Sequence, residues 1–289
     1  MAYRIITEAT ADLNSELLAG LSEVTVIPMF VQVDGVEYRF GPGGNITTEE
    51  FYALLRSGKY ASTSQINPAV YRAYFEEILK QGMDVLYLCF SSGLSSTIQS
   101  ARMAISDLEE AYPDRKIILV DTLAASVGEG LFVMEAARKQ SQGMELEALA
   151  AWLEEHKLNL CHWFTVDDLM FLKRGGRVSA ATALVGTMLQ IKPVLHVDDE
   201  GHLINMSKAR GRKASIEALA KKLAETGLDG ENDTVFISHG DCLEDAQTLE
   251  RIVKEKYGVK NVFIYYVGAV IGSHAGPGTL AFFFLGNKR

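Results

Sequence analysis

Six consecutive apolar residues, Val85 to Phe90, run directly into Ser91-Ser-Gly-Leu-Ser-Ser-Thr97, and apolar positions then recur at helical spacing at Ile98, Met103, Ile105 and Leu108. An unbroken apolar run of this length, without alternation, predicts a parallel strand buried on both faces. The helix that follows is predicted from about Ser95 to Glu110. A strand that turns into a helix leaves backbone N–H groups free at the positive end of the helix dipole. Such a turn can hold an anion, as parallel sheets do at the carboxyl ends of their strands. Its hydroxyls can equally well cap the helix, with Ser95 or Ser96 as the cap. The loop alone does not decide between the two.

The same alternation of strand and helix fills the first half of the chain. Strands are predicted at Tyr3 to Thr7, Val24 to Val33, Val36 to Phe40 and Lys116 to Asp121, with Pro28 marking an edge or bulge in the second. Helices follow Asn14 (as far as Gly20), Thr47 or Thr48 with Glu50 at the capping-box position, and Pro68. Two more run to about Gly143 and from Glu145 to Lys157. Beyond Asn159 the order changes. A strand at His162 to Val166 leads to a short helix, Asp167 to Leu172, stopped by Lys173-Arg-Gly-Gly-Arg177. An apolar helical stretch, Ala180 to Leu189, precedes a hairpin of Lys192 to Val197 and Leu203 to Lys208. Helices at Lys213 to Glu225 and Leu243 to Tyr257 alternate with strands at Thr234 to Ser238, Asn261 to Val267 and Ala281 to Leu285. The pattern predicts an α/β protein of two domains, residues 1–158 with a mostly parallel sheet and 159–289 with a mixed α/β layer, and a cleft between them.

Composition narrows the function classes. A formal charge of -9 argues against a nucleic-acid partner, which requires a basic face. Cys89, Cys161 and Cys242 are odd in number and without paired spacing, which suits reduced thiols. The opening residues carry no apolar core of signal-peptide length, and the longest apolar run, Val262 to Ile271, is too short to cross a bilayer. The expectation is a cytoplasmic protein without stable membrane insertion, which meets any lipid through a pocket.

Four polar clusters stand out: Thr63-Ser64-Gln65, the Ser91–Thr97 loop, Leu172-Lys-Arg-Gly-Gly-Arg-Val-Ser179, and Ile271-Gly-Ser-His-Ala-Gly-Pro-Gly-Thr279. Glycines in the last allow backbone to approach a ligand closely, and His274 can donate to an anion or orient a hydroxyl that does. No phosphate-binding G-x-x-x-x-G-K-[ST] loop, G-x-G-x-x-G fingerprint, G-x-S-x-G elbow or H-E-x-x-H pair occurs. A hydrolase or transferase that uses Ser95 and His274 on an acyl substrate is the enzyme alternative, because such pairs assemble in space and not in sequence.

As an ordered set, with Thr7-Glu-Ala-Thr-Ala-Asp-Leu13 at the start, these clusters resemble the bacterial DegV family, nearly end to end. These are fatty-acid-binding proteins that serve as acyl-carrying subunits of fatty acid kinase. The resemblance implies a two-domain α/β fold enclosing one long-chain fatty acid. Its carboxylate would be held by Thr63, Ser95 and His274, with Ser64, Ser92, Gly93, Ser96, Gly272 and Ser273 as a supporting polar shell. It also implies that an ATP-dependent kinase subunit phosphorylates the carboxylate for phospholipid synthesis, so that this chain has no catalysis, metal or cofactor of its own. Ile27, Met29, Phe30, Leu169, Met170, Phe171, Val185, Met188, Leu189 and Phe282 to Phe284 are candidate tunnel residues, and Arg174, Arg177 and Arg210 a candidate docking face on an acidic protein. The chain departs from the family pattern at Glu8-Ala9, where Asp-Ser is usual, and at Ile66-Asn67, placed before the proline.

Overall fold

The structure is a computed structural model; it describes residues 2–19, 24–179, 190–287 and 289. The stretch Ala180 to Leu189, with the expected tunnel residues Val185, Met188 and Leu189, lies outside the described residues, as does Gly20. Three sheets organise the rest. Strands β1 (Tyr3–Glu8), β2 (Val24–Ile27), β6 (Asp84–Cys89) and β7 (Ile117–Asp121) form a parallel sheet in the order β2-β1-β6-β7. Every residue of β6 is buried, as its unbroken apolar run requires of a central strand. The two faces divide its side chains by parity. Val85 and Tyr87 pack with α3 (Pro68–Lys80) and α4 (Thr97–Ala111), whereas Leu86 and Leu88 pack with α5 (Val127–Ser141) and α6 (Leu146–His156).

Pro28 splits the single strand expected over Val24 to Val33. It cannot donate to a ladder, so β2 ends at Ile27 and β3 (Met29–Val33) enters a different, antiparallel sheet, β4-β3-β5, with β4 (Val36–Phe40) and β5 (Ala61–Ser64). β5 contains Thr63, in a stretch to which the sequence assigned no strand; its small polar residues are held extended by pairing with Phe30 to Val33. The short helix α1 (Ser15–Leu18) is capped by the Asn14 side chain, which accepts from Leu17 N–H at 2.8 Å. Thr47 is the cap of α2 (Thr48–Arg56): its hydroxyl accepts from Glu50 N–H at 3.1 Å and Glu50 accepts from Thr47 N–H at 2.9 Å, a complete capping box.

The remainder forms a mixed six-stranded sheet in the order β10-β9-β8-β13-β11-β12. Its strands are β8 (Leu160–Thr165), β9 (Ile191–Val197), β10 (Leu203–Arg210), β11 (Thr234–His239), β12 (Asn261–Tyr266) and β13 (Leu280–Leu285). Helices α8 (Arg212–Thr226) and α9 (Leu243–Tyr257) cover one face through Val194, Ile237 and Phe282. The opposite face, with Phe164, Leu195 and Phe283, packs on α7 (Leu169–Arg174) and on Val127 of the first layer. The chain is therefore mixed α/β, with the second sheet laid across the carboxyl ends of the first. No helix among the described residues is long and apolar enough to cross a membrane.

Candidate ligand-binding site

Two local arrangements build the site. The fourth polar cluster begins as a helix, α10 (Ala269–Ala275), to which the sequence assigned no element. Its glycines allow the close approach: a β-carbon on Gly272 would sit 2.6 Å from the Tyr52 hydroxyl, and one on Gly268 would sit 2.3 Å from Asp12 Oδ1. α10 thus belongs by sequence to the second sheet and packs on α2, β3 and β5 of the first part. The second is the Gly-Gly pair that stops α7, as the sequence predicts. Gly176, at φ +76°, takes the left-handed position of a Schellman motif in which Arg177 N–H bonds Leu172 O and Gly176 N–H bonds Lys173 O, both at 2.9 Å. Gly175 is needed for a different reason. A β-carbon there would lie 2.3 Å from His274 Nδ1.

Between the carboxyl ends of β1, β6 and β7 and the inner face of the six-stranded sheet lies a cavity of about 350 Å³. That is within the size range of small-ligand sites. Thr63, Ser95 and His274 all line it. Thr63 Oγ1 and His274 Nε2 are 2.7 Å apart. Burial and the nearby Arg177 guanidinium push the His274 pKa down to about 4, so the imidazole is neutral at physiological pH. If its proton sits on Nε2, the imidazole donates to Thr63 and frees the threonine hydroxyl proton for the cavity. Ser95 Oγ accepts from Thr97 N–H at 3.2 Å and likewise keeps its own proton to donate. Ser96 lines the cavity too and donates to Gln65 Oε1 at 2.8 Å. The Ser95–His274 pair of the enzyme alternative is not formed: the imidazole bonds Thr63.

Five of the supporting positions lie outside the cavity wall. Ser64 and Ser92 are exposed, and Ser92 N–H bonds Asp121 at 3.2 Å. Gly93 packs on Gly201, where a β-carbon would meet backbone at 2.7 Å; Gly272 packs on α2; and Ser273 bonds Ala269 O at 2.7 Å. Of the expected tunnel residues Met29 and Phe283 line the cavity, while Phe30 is exposed on its sheet and Phe282 faces α8 and α9. Arg177 is separated from Arg174 and Arg210. Its side chain turns inward to line the cavity and donates from Nε to Leu94 O at 3.0 Å, whereas the other two are exposed. Arg174 lies over the rings of Tyr60 at 4.3 Å and Phe171 at 4.6 Å, beside a shallow hollow that His274 also lines. His274 therefore stands between the cavity and the outer surface.

Sequence reasoning passed over Glu8, Ser126 and His162, which also line the cavity. Glu8 is fully buried and accepts from the Tyr71 and Tyr87 hydroxyls and from Phe90 N–H, each at 3.0 Å. Burial raises its pKa and also raises that of Glu129, whose Oε1 accepts from Thr7 and Thr10 at 3.1 Å. Glu8, at the departure from the usual Asp, thus lines the cavity with its own set of donors. The opening motif contains it, but only the meeting of β1 with β6 places it in the wall. Among the described residues no group of His, Cys, Asp and Glu could hold a metal ion.

The family model described as "Uncharacterised protein, DegV family" matches residues 2–287. A DegV domain-containing protein of Clostridium perfringens is 45% identical over 287 residues, covering 99% of this chain and 98% of that one. The solved DegV family protein of Thermus thermophilus, described as fatty acid binding, is similar with a TM-score of 0.87 at 33% identity, covering 99% of this chain and 100% of its own. The B3 protein of the Streptococcus pneumoniae fatty acid kinase, solved with linoleic acid, shares the fold at 20% identity, with a TM-score of 0.87 and coverage of 99% and 100%. On the family match and these identities, the chain belongs to the DegV family.

Proposed function

We propose that this chain binds one long-chain fatty acid in the cavity between two domains divided at 158/159, and presents its carboxylate to an ATP-dependent kinase subunit for acyl-phosphate formation. The observation that carries the reading is the Thr63–His274 pair at 2.7 Å beside Ser95, on the wall of a cavity otherwise mostly apolar. A neutral imidazole that fixes a threonine proton, with a second hydroxyl nearby, supplies donors to a carboxylate without adding a full charge. The alkyl chain gains ~0.8 kcal/mol for each CH2 buried. The fatty-acid-binding relative from Thermus thermophilus supports the ligand class. The kinase step rests on the family resemblance, and so do the absence of intrinsic catalysis and a cytoplasmic place of action.

Denaturing extraction followed by lipid mass spectrometry tests it. Wild type should carry close to one fatty acid per chain. Thr63→Ala and Ser95→Ala should each retain roughly a tenth or less at limiting ligand, because a hydrogen bond to a charged group contributes about 1.5–3 kcal/mol. Finding no fatty acid in wild type after exchange with added oleate would overturn the proposal.

Arg174 sits on the outer side of His274 and is our candidate for kinase docking, together with Arg210; the inward side chain of Arg177 is assigned to the cavity instead. Arg174→Glu and Arg210→Glu should slow acyl-phosphate formation by about tenfold or more at subsaturating kinase, through like-sign repulsion at the encounter, and leave bound fatty acid unchanged. Equal rates for variants and wild type would remove these arginines from the interface.

A further inference from the structure

The cavity wall has a second polar stretch, apart from the carboxylate clamp, at Ala125 and Ser126, which lead into α5. Ser126 is the cap residue there, yet it does not cap. It adopts φ 56°, ψ −148°, a conformation that residues with a β-carbon rarely take, and its hydroxyl donates to Asp12 Oδ2 at 2.5 Å. The Gly128 N–H, which a serine cap would ordinarily accept, and the Val127 N–H before it have no hydrogen-bond partner among the described residues. Ala125, Ser126, His162 and Phe283 bring the cavity to this turn.

His162 is the second observation. It is 3% exposed, and its Nε2 has no partner. That edge of the ring faces the turn: a β-carbon on Gly128 would lie 2.2 Å from Nε2. The other ring nitrogen, Nδ1, is 3.1 Å from Leu160 O, a carbonyl that can only accept, so Nδ1 carries the proton and Nε2 is an acceptor. Burial keeps the imidazole neutral. Unpartnered donors on a helix end and an unpartnered acceptor on the adjacent imidazole are complementary to one small group that both accepts and donates.

We infer that this turn is a hydroxyl-binding subsite, and that the preferred ligand is a long-chain fatty acid carrying a hydroxyl group on its chain. The inference rests on the fatty-acid reading above and names the class within it. The hydroxyl oxygen accepts from the Val127 or Gly128 N–H, and its proton goes to His162 Nε2. A keto group would leave Nε2 unsatisfied. A second carboxylate would meet the buried acids Glu8, Asp12 and Glu129, of which the first two already disfavour the ionisation of Glu129. An unsubstituted chain would place CH2 groups against open donors and an open acceptor.

Competition binding decides it, with stearic acid against a series of positional isomers of hydroxystearic acid on the full chain. At least one isomer should bind about tenfold more tightly than stearic acid, the equivalent of one hydrogen bond made and not left open. In His162→Phe the hydroxy-to-plain affinity ratio should fall to near one, whatever the absolute affinities. In His162→Gln, which keeps an acceptor, a preference should persist. If stearic acid binds and no isomer exceeds it, the turn is filled by water and the inference fails while the carrier reading stands. A preference undiminished in His162→Phe also overturns it. If neither acid binds, the carrier reading itself has failed.

Discussion

Gly175→Ala is expected to lower fatty-acid affinity by tenfold or more while leaving thermal stability nearly unchanged. The new β-carbon would fall 2.3 Å from His274 Nδ1 and 3.2 Å from Cγ. On its far edge the ring is held by Thr63 at 2.7 Å, so it can retreat only by giving up that bond. The threonine proton is then no longer directed at the ligand, and an interaction of about 1.5–3 kcal/mol to a charged carboxylate is lost. Backbone strain does not enter, because Gly175 is right-handed helical at φ −69°. Gly176→Ala is the control, with stability and not binding reduced. At φ +76° it has open space for a side chain but a conformation that costs roughly 1–2 kcal/mol for L residues, so its unfolding midpoint should fall while binding stays close to wild type. Isothermal titration with oleate and thermal melts of both variants distinguish the two. Should Gly175→Ala bind like wild type, the His274 clamp is wrongly assigned.

Asp12→Asn is expected to stabilise the protein above neutral pH and to flatten part of its pH dependence. Asp12 is buried in the left-handed region at φ 51°, with Ser126 donating to one oxygen and Gly268 against the other, and burial raises its pKa from the ordinary 3.8 to about 7. Between those values the folded chain holds a proton that the unfolded chain has released, so stability falls as pH rises from about 4 to about 7 and levels off above. A shift of about three units corresponds to on the order of 4 kcal/mol at most. Asn cannot ionise and escapes that penalty. Thermal melts from pH 4 to 8 should show wild type losing several degrees more than the variant across the window. Parallel curves would mean that Asp12 is ionised, with a partner that compensates it. Glu8 and Glu129, also raised by burial, should leave a residual slope in both proteins.

Local chemistry was legible wherever a residue's role depends on its neighbours in sequence. The β6 run, the Thr47–Glu50 capping box, Pro68 at the start of α3, and the glycine stop after α7 are all one-turn or one-strand decisions, and the structure has them where propensity and periodicity place them. Pro28 was visible as an irregularity, but not as the point at which the chain leaves one sheet for another.

The amino-acid sequence by itself determined the α/β class, the change of pattern near residue 159, the family, and three residues, Thr63, Ser95 and His274, as candidates for the clamp proposed above. Only the tertiary structure decided which of them meet. β5 is a strand because β3 pairs with it, and α10 is a helix because Gly268 and Gly272 let it press against Asp12, Tyr52 and Phe51. Those are contacts between residues up to 256 positions apart, Asp12 and Gly268, and no local propensity encodes them. The same holds for Glu8, Ser126 and His162, which no single motif joins. They become one wall only because two sheets cross at the carboxyl ends of β1 and β7.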